Sequence, residues 1–203
     1  PYAISRYPIT NAQYAAFVHA GGYHTQGYWT EAGWAWREHE SVEGPEDYGV
    51  PFMLPNHPVV GVSWYEAQAF SLWAGMRLPT EAEWQVAASW SIKSSADIQR
   101  RFPWGDAMDN ARCNVWSTRL HDTAPVDAFE AGRAPNHVLQ LVGNVWEWTD
   151  TEFAVQDDAG RAILGEMTMQ VVRGGGYDTY FETQATAQFR TGLIAMARVH
   201  NTG

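Results

Sequence analysis

The chain has 203 residues, 45% of them hydrophobic, enough to bury one substantial core within the usual size range of a single domain. Lys and Arg number 13 against 23 Asp and Glu, and the formal net charge of -10 has the wrong sign for a generic nucleic-acid binder, whose phosphate contacts need clustered positive charge. No apolar run approaches the roughly 20 residues of a membrane helix, and a lone cysteine, Cys113, excludes an intrachain disulfide or a two-cysteine metal site.

A first helix is predicted after Thr10 or Asn11, with Tyr14, Phe17 and Val18 on its inner face and a stop at Gly21-Gly22. Residues 37–55, rich in Gly, Pro, Asp and Glu, read as a long loop. A short strand at 59–62 leads into Ser63, which with Glu66 forms a capping box and opens a second helix that runs through Phe70 and Trp73 to Gly75. Thr80 with Glu83 repeats the device and opens a third helix carrying Trp84, Val86 and Ala87. Residues 103–125 form another long loop, and strands are predicted at 145–149 and Met169–Arg173 before the Gly174-Gly175-Gly176 break. Cys113 reads as a small buried apolar residue. The 11 Trp suit either a loop-rich core or an aromatic-lined ligand surface.

Ordered motifs then point to a family. Ile9-Thr10-Asn11-Ala12-Gln13-Tyr14, His57-Pro58-Val59-Val60-Gly61-Val62-Ser63-Trp64 and Arg77-Leu78-Pro79-Thr80-Glu81-Ala82-Glu83-Trp84 come first. Phe102-Pro103-Trp104-Gly105, Ala124-Pro125-Val126, Gly143-Asn144-Val145-Trp146-Glu147-Trp148 and Val172-Arg173-Gly174-Gly175 follow in register. Together they resemble formylglycine-generating enzymes, the sulfatase-modifying factors, over essentially the whole chain. Residues 21–37 look more particularly like the C-terminal lobe of ergothioneine-type sulfoxide synthases. The resemblance implies one α+β domain over residues 1–203, slightly incomplete at both ends, of a C-type-lectin-like fold with little regular secondary structure and long loops.

The name enzyme of that family holds copper with two cysteines after its Arg-Gly-Gly strand; residues 176–186 contain none here, so no copper is expected. The sulfoxide-synthase relatives use a nonheme iron held by three histidines of a separate helical domain, so iron is expected only from residues outside this chain. His19, His24 and His39 lack the helical spacing of a metal site. The family does imply calcium, a hard cation suited to loop oxygens. Carried over, one site falls on Gln140, Gly143, Val145 and Glu147, with Gln140 standing where the family has Asn. A second begins at Asn114 and Val115, its completing acidic loop shortened to His121-Asp122-Thr123. The alternative for Glu147 is that it accepts hydrogen bonds from loop amides without any ion.

Along the C-terminal segment, Tyr177, Tyr180, Arg190, Arg198 and His200 form the candidate ligand groove, since Arg reads carboxylates bidentately and aromatics supply stacking area. Arg173 reads either as a groove residue or as a structural anchor, and the run Leu193-Ile194-Ala195-Met196-Ala197 either as a binding surface or as core. Two functions follow from these residues: a binding module for a small-molecule, peptide or protein ligand, or the substrate-holding lobe of an oxygen-dependent nonheme iron oxidoreductase.

Overall fold

The computed structural model describes residues 2–89, 100–156, 162–163 and 167–203. Helix α1 spans Asn11–His19 and is capped by Thr10, whose side chain accepts from the Gln13 amide while Gln13 reaches back to the Thr10 amide. Asn11, the other candidate cap, instead donates to the carbonyls of Phe52 and Leu54 at 2.7 and 2.9 Å, pinning a loop that matters below. Helix α2, Glu31–Glu40, occupies the start of the expected 37–55 loop. Gly33 within α2 obscured it in the sequence, although Thr30 caps it and Trp34 and Trp36 pack on the first core. Helices α3, Trp64–Trp73, and α4, Glu81–Ser89, begin where Ser63/Glu66 and Thr80/Glu83 predict. At the α4 entrance Arg77 clamps Glu83 at 2.7 and 2.6 Å, and this pair, helped by the Thr80 amide, holds the Glu83 carboxyl at about 2.

Strands β1, Glu147–Glu152, β4, Met169–Arg173, and β5, Arg190–Ile194, form an antiparallel sheet in the order β1-β4-β5, with Arg173 opposite both Glu147 and Arg190. Strands β2, Val155–Gln156, and β3, Ala162–Ile163, make a separate short pair. The expected strand at 59–62 is not one. Its amides bond to scattered carbonyls, Val59 to Ile9 and Gly61 to Val199 and Thr202. Gly61 also sits at φ 70°, where a Cβ would lie 2.8 Å from the Glu46 carbonyl oxygen, so no ladder can pass through it. Strand β5 went unread because Gly192 interrupts an otherwise mixed segment. There an added Cβ would meet the Phe153 ring at 2.4 Å.

The core is divided among several aromatic clusters. One gathers Tyr14, Phe17, Tyr23, Trp29 and Phe70; another joins Trp64, Trp148, Val172 and Ala195. The tryptophans hold these layers together with their polar edges as well as their area. Trp64 Nε1 donates to the Thr149 carbonyl and Trp148 Nε1 to the Val62 carbonyl, both at 3.0 Å, so each ring fastens the other's segment. Leu193 packs against this cluster and Ala195 lies within it, placing that part of the apolar 193–197 run in the core, while Met196 stays exposed. Cys113 is buried as expected, and burial pushes its thiol up to about 12, far from a reactive thiolate.

Candidate ligand-binding site

The chain leaves β4 through Gly174 and Gly175, both at positive φ, and this turn delivers Tyr177, whose amide donates to the Asn144 carbonyl at 2.9 Å. The Tyr177 hydroxyl meets His200 Nδ1 at 2.6 Å. The rings of Tyr48 and Phe52 surround that pair, with Tyr48 to His200 at 5.7 Å and Phe52 to Tyr177 at 5.8 Å. The loop carrying Tyr48 and Phe52 is the one fixed by Asn11, and Tyr48 itself donates to the Arg198 carbonyl at 2.8 Å. Burial, then the charges of Asp178 and Asp122, push the Tyr177 hydroxyl up to about 12, so it stays neutral. A second aromatic group adjoins the first. Trp116 contacts His121 at 4.6 Å and Tyr180 at 6.3 Å, and Tyr180 contacts Phe181 at 5.2 Å. The Trp116 amide donates to the Thr179 carbonyl, which joins the two groups into one surface. Tyr180 is 68% exposed.

Of the groove residues expected from sequence, Tyr177, Tyr180 and His200 come together here. The two arginines do not, and this corrects the expectation of a carboxylate-reading groove. Arg198 turns inward: it pairs with Glu66 at 3.1 Å and Glu46 at 2.9 Å and donates to the carbonyls of Gly61 and Gly44. Arg190 pairs with Glu81 at 2.9 Å and lies over the Phe153 ring. Glu81 also takes fully buried Arg173, which donates as well to the Ala187 carbonyl and stacks on Trp84. Arg173 is therefore the structural anchor. The charges felt at the Tyr177 hydroxyl are negative, from Asp178 and Asp122. Sequence reasoning missed Tyr48, Phe52, Trp116 and Phe181, because loop residues at irregular spacing carry no periodic signal.

The calcium residues separate into two networks. Gln140 donates to the carbonyls of Pro125 and Ala128 and its side-chain oxygen accepts from Asn144 at 2.7 Å, so all its polar atoms already have protein partners. Glu147 accepts from Trp84 Nε1 at 2.5 Å and borders a cavity of about 690 Å³ beside Leu141 and Val145; burial pushes its carboxyl up to about 7. Gly143 packs on the Asn114 backbone, where an added Cβ would lie 2.5 Å from the carbonyl oxygen. At the second location the Asn114 side-chain oxygen is buried with no hydrogen-bond partner, a free hard ligand, whereas the Val115 carbonyl is taken by the Thr118 amide. Among the described residues no three His, Cys, Asp or Glu side chains converge on a metal-binding geometry.

The fold and these motifs define a sulfatase-modifying-factor-type domain. The family model for the sulfatase-modifying factor enzyme 1-like domain matches residues 1–203, and the chain belongs to that family. It is 38% identical over 161 residues to the hercynine oxygenase of Mycolicibacterium thermoresistibile, covering 74% of this chain and 35% of that protein. It is 38% identical over 189 residues to the formylglycine-generating enzyme of Thermomonospora curvata, covering 73% of this chain and 59% of that protein. The chain thus spans about a third of the first relative and little more than half of the second. The structure of PvdO from Pseudomonas aeruginosa shares the fold, with a TM-score of 0.68 at 19% identity over 98% of this chain and 77% of PvdO.

Proposed function

We propose that the domain is a ligand-binding module that seats a positively charged group on the aromatic face of Tyr177, His200, Tyr48 and Phe52. The observation that carries this is the Tyr177–His200 pair, ringed by aromatic faces and bordered by Asp122 and Asp178 with both candidate arginines turned elsewhere. Aromatic faces attract cations by about 0.5–2 kcal/mol each, and most strongly where water is partly excluded. Titration with tetramethylammonium, followed by tryptophan fluorescence, is expected to saturate. Phe52→Leu, which removes one ring of that face and keeps its apolar bulk, is expected to weaken binding several-fold while stability moves by less than about 1.5 kcal/mol. Equal affinity in the variant, or no saturation, sinks the proposal.

Similarity to hercynine oxygenase supports a second reading, in which the same face holds the substrate of an oxygen-dependent nonheme iron oxidoreductase and the metal ligands lie outside this chain. The face and its chemistry are common to both readings. Calcium belongs to the same reading: Asn114 and Glu147 each offer an oxygen suited to a hard cation, and the Gln140 oxygen would have to share itself with Asn144. On that view a chelator lowers the melting temperature of the purified domain, and an unchanged melt removes calcium from the account.

A further inference from the structure

A second cavity, of about 820 Å³, opens between the 100–112 and 130–137 segments, well away in chemistry from the acidic aromatic face. Its wall brings together Arg100, Arg112, Arg133 and His137, with Trp104 beside them and Glu130 as the one carboxylate of the lining. Three of the chain's 13 basic residues thus meet in one place on a protein of net charge -10.

The arrangement is held by backbone. Arg112 bonds Asp109 at 2.9 Å through Nε and the Ala131 carbonyl at 2.5 Å through Nη1, which ties one segment to the other. Gly132 lies so close to the Arg112 carbonyl oxygen that an added Cβ would be 1.8 Å from it, so the separation of the two segments is fixed. Phe129 and His137 both sit at positive φ, at 61° and 69°, and shape the turn that presents Arg133 and His137. Among the described residues Arg133 makes one ion pair, to Glu130 at 3.1 Å. A guanidinium carries five N–H donors, so both Arg112 and Arg133 keep donors that these contacts do not use. Trp104 is fixed as a flat wall, stacked on Phe102 at 5.3 Å and 8° with its Nε1 donating to the Ala107 carbonyl.

We propose that this cavity is an anion site for a small phosphate-bearing molecule. Convergent guanidinium forks match the several oxygens of a phosphoryl group better than a single carboxylate, and a rigid aromatic wall gives its organic portion a surface to pack on. The inference stands apart from the aromatic-face reading, since its ligand has the opposite charge. Calorimetric titration of the whole protein with pyrophosphate is expected to show one site per chain, weakened by added salt. Arg133→Gln is expected to lower that affinity about tenfold, and His137→Asn, which tolerates the same backbone, to lower it several-fold, both at unchanged melting temperature. Absence of binding heat overturns the proposal, as does an affinity that neither folded variant changes. Tetramethylammonium binding in the same variants stays at the parent value, which separates failure here from failure of the aromatic face.

Discussion

Arg198→Ala lowers the unfolding free energy by about 3–5 kcal/mol, because it strands a buried carboxylate. The Glu66 side chain is 0% exposed and the guanidinium 3.1 Å away is its one cationic partner among the described residues. Tyr23 and the Ser63 amide, both at 2.7 Å, supply the remaining hydrogen bonds to that carboxylate. Burial pushes the Glu66 carboxyl up and Arg198 opposes it, so removing Arg198 leaves desolvation as the dominant influence. Glu66 is also the second half of the α3 capping box, so the loss spreads to the helix entrance. For a domain of this length the melting temperature falls by about 6–20 °C, measured by calorimetry. A loss under about 1 kcal/mol, with ligand affinity reduced instead, would return Arg198 to the groove.

The second large effect is expected at Asn144. Its side-chain oxygen accepts from the Ala124 amide at 2.7 Å and from Asn114 at 3.0 Å, and its amide donates to the Ala124 carbonyl at 3.0 Å and to Gln140 at 2.7 Å. All four bonds lie in a fully buried position at φ 70°, which Asn tolerates better than most side chains. Asn144→Asp keeps the shape and turns both donors into acceptors facing acceptors. With each unmet buried pairing worth about 1–3 kcal/mol, the cost is about 4 kcal/mol or more, read from the denaturant midpoint. Asn144 also holds the Tyr177 amide, so ligand binding weakens with it. Retention of parental stability in Asn144→Asp would show that the network is water-filled and loose.

The capping boxes were legible because they are local: Ser63/Glu66 and Thr80/Glu83 act over three residues and fix helix entrances whatever surrounds them. The strand at Met169–Arg173 was legible for the same reason, as a compact apolar run. Helix α2 and strand β5 were not, since Gly33 and Gly192 are chosen by neighbours distant in sequence, the Tyr65 ring and the Phe153 ring. The same limit applies at the site. Tyr177 and His200 could be nominated from residue type, but whether an arginine faces a ligand or a buried acid depends on Glu66 and Glu81, which lie more than 100 residues from Arg198 and Arg190. That the Gln140 side-chain oxygen accepts from Asn144, four residues on, was likewise not announced by residue type.

The reciprocal fastening of Trp64 and Trp148, extended by Trp146 bridging to Thr202 and Arg198 reaching Gly44, has a kinetic side. Each of these ties closes a loop of tens to more than a hundred residues, and the entropy of closure must be met before the contact rewards it. The helices can form early from their own caps, but the joins between layers wait for partners distant in sequence. Folding of this domain is therefore expected to be slow for its size and governed by topology.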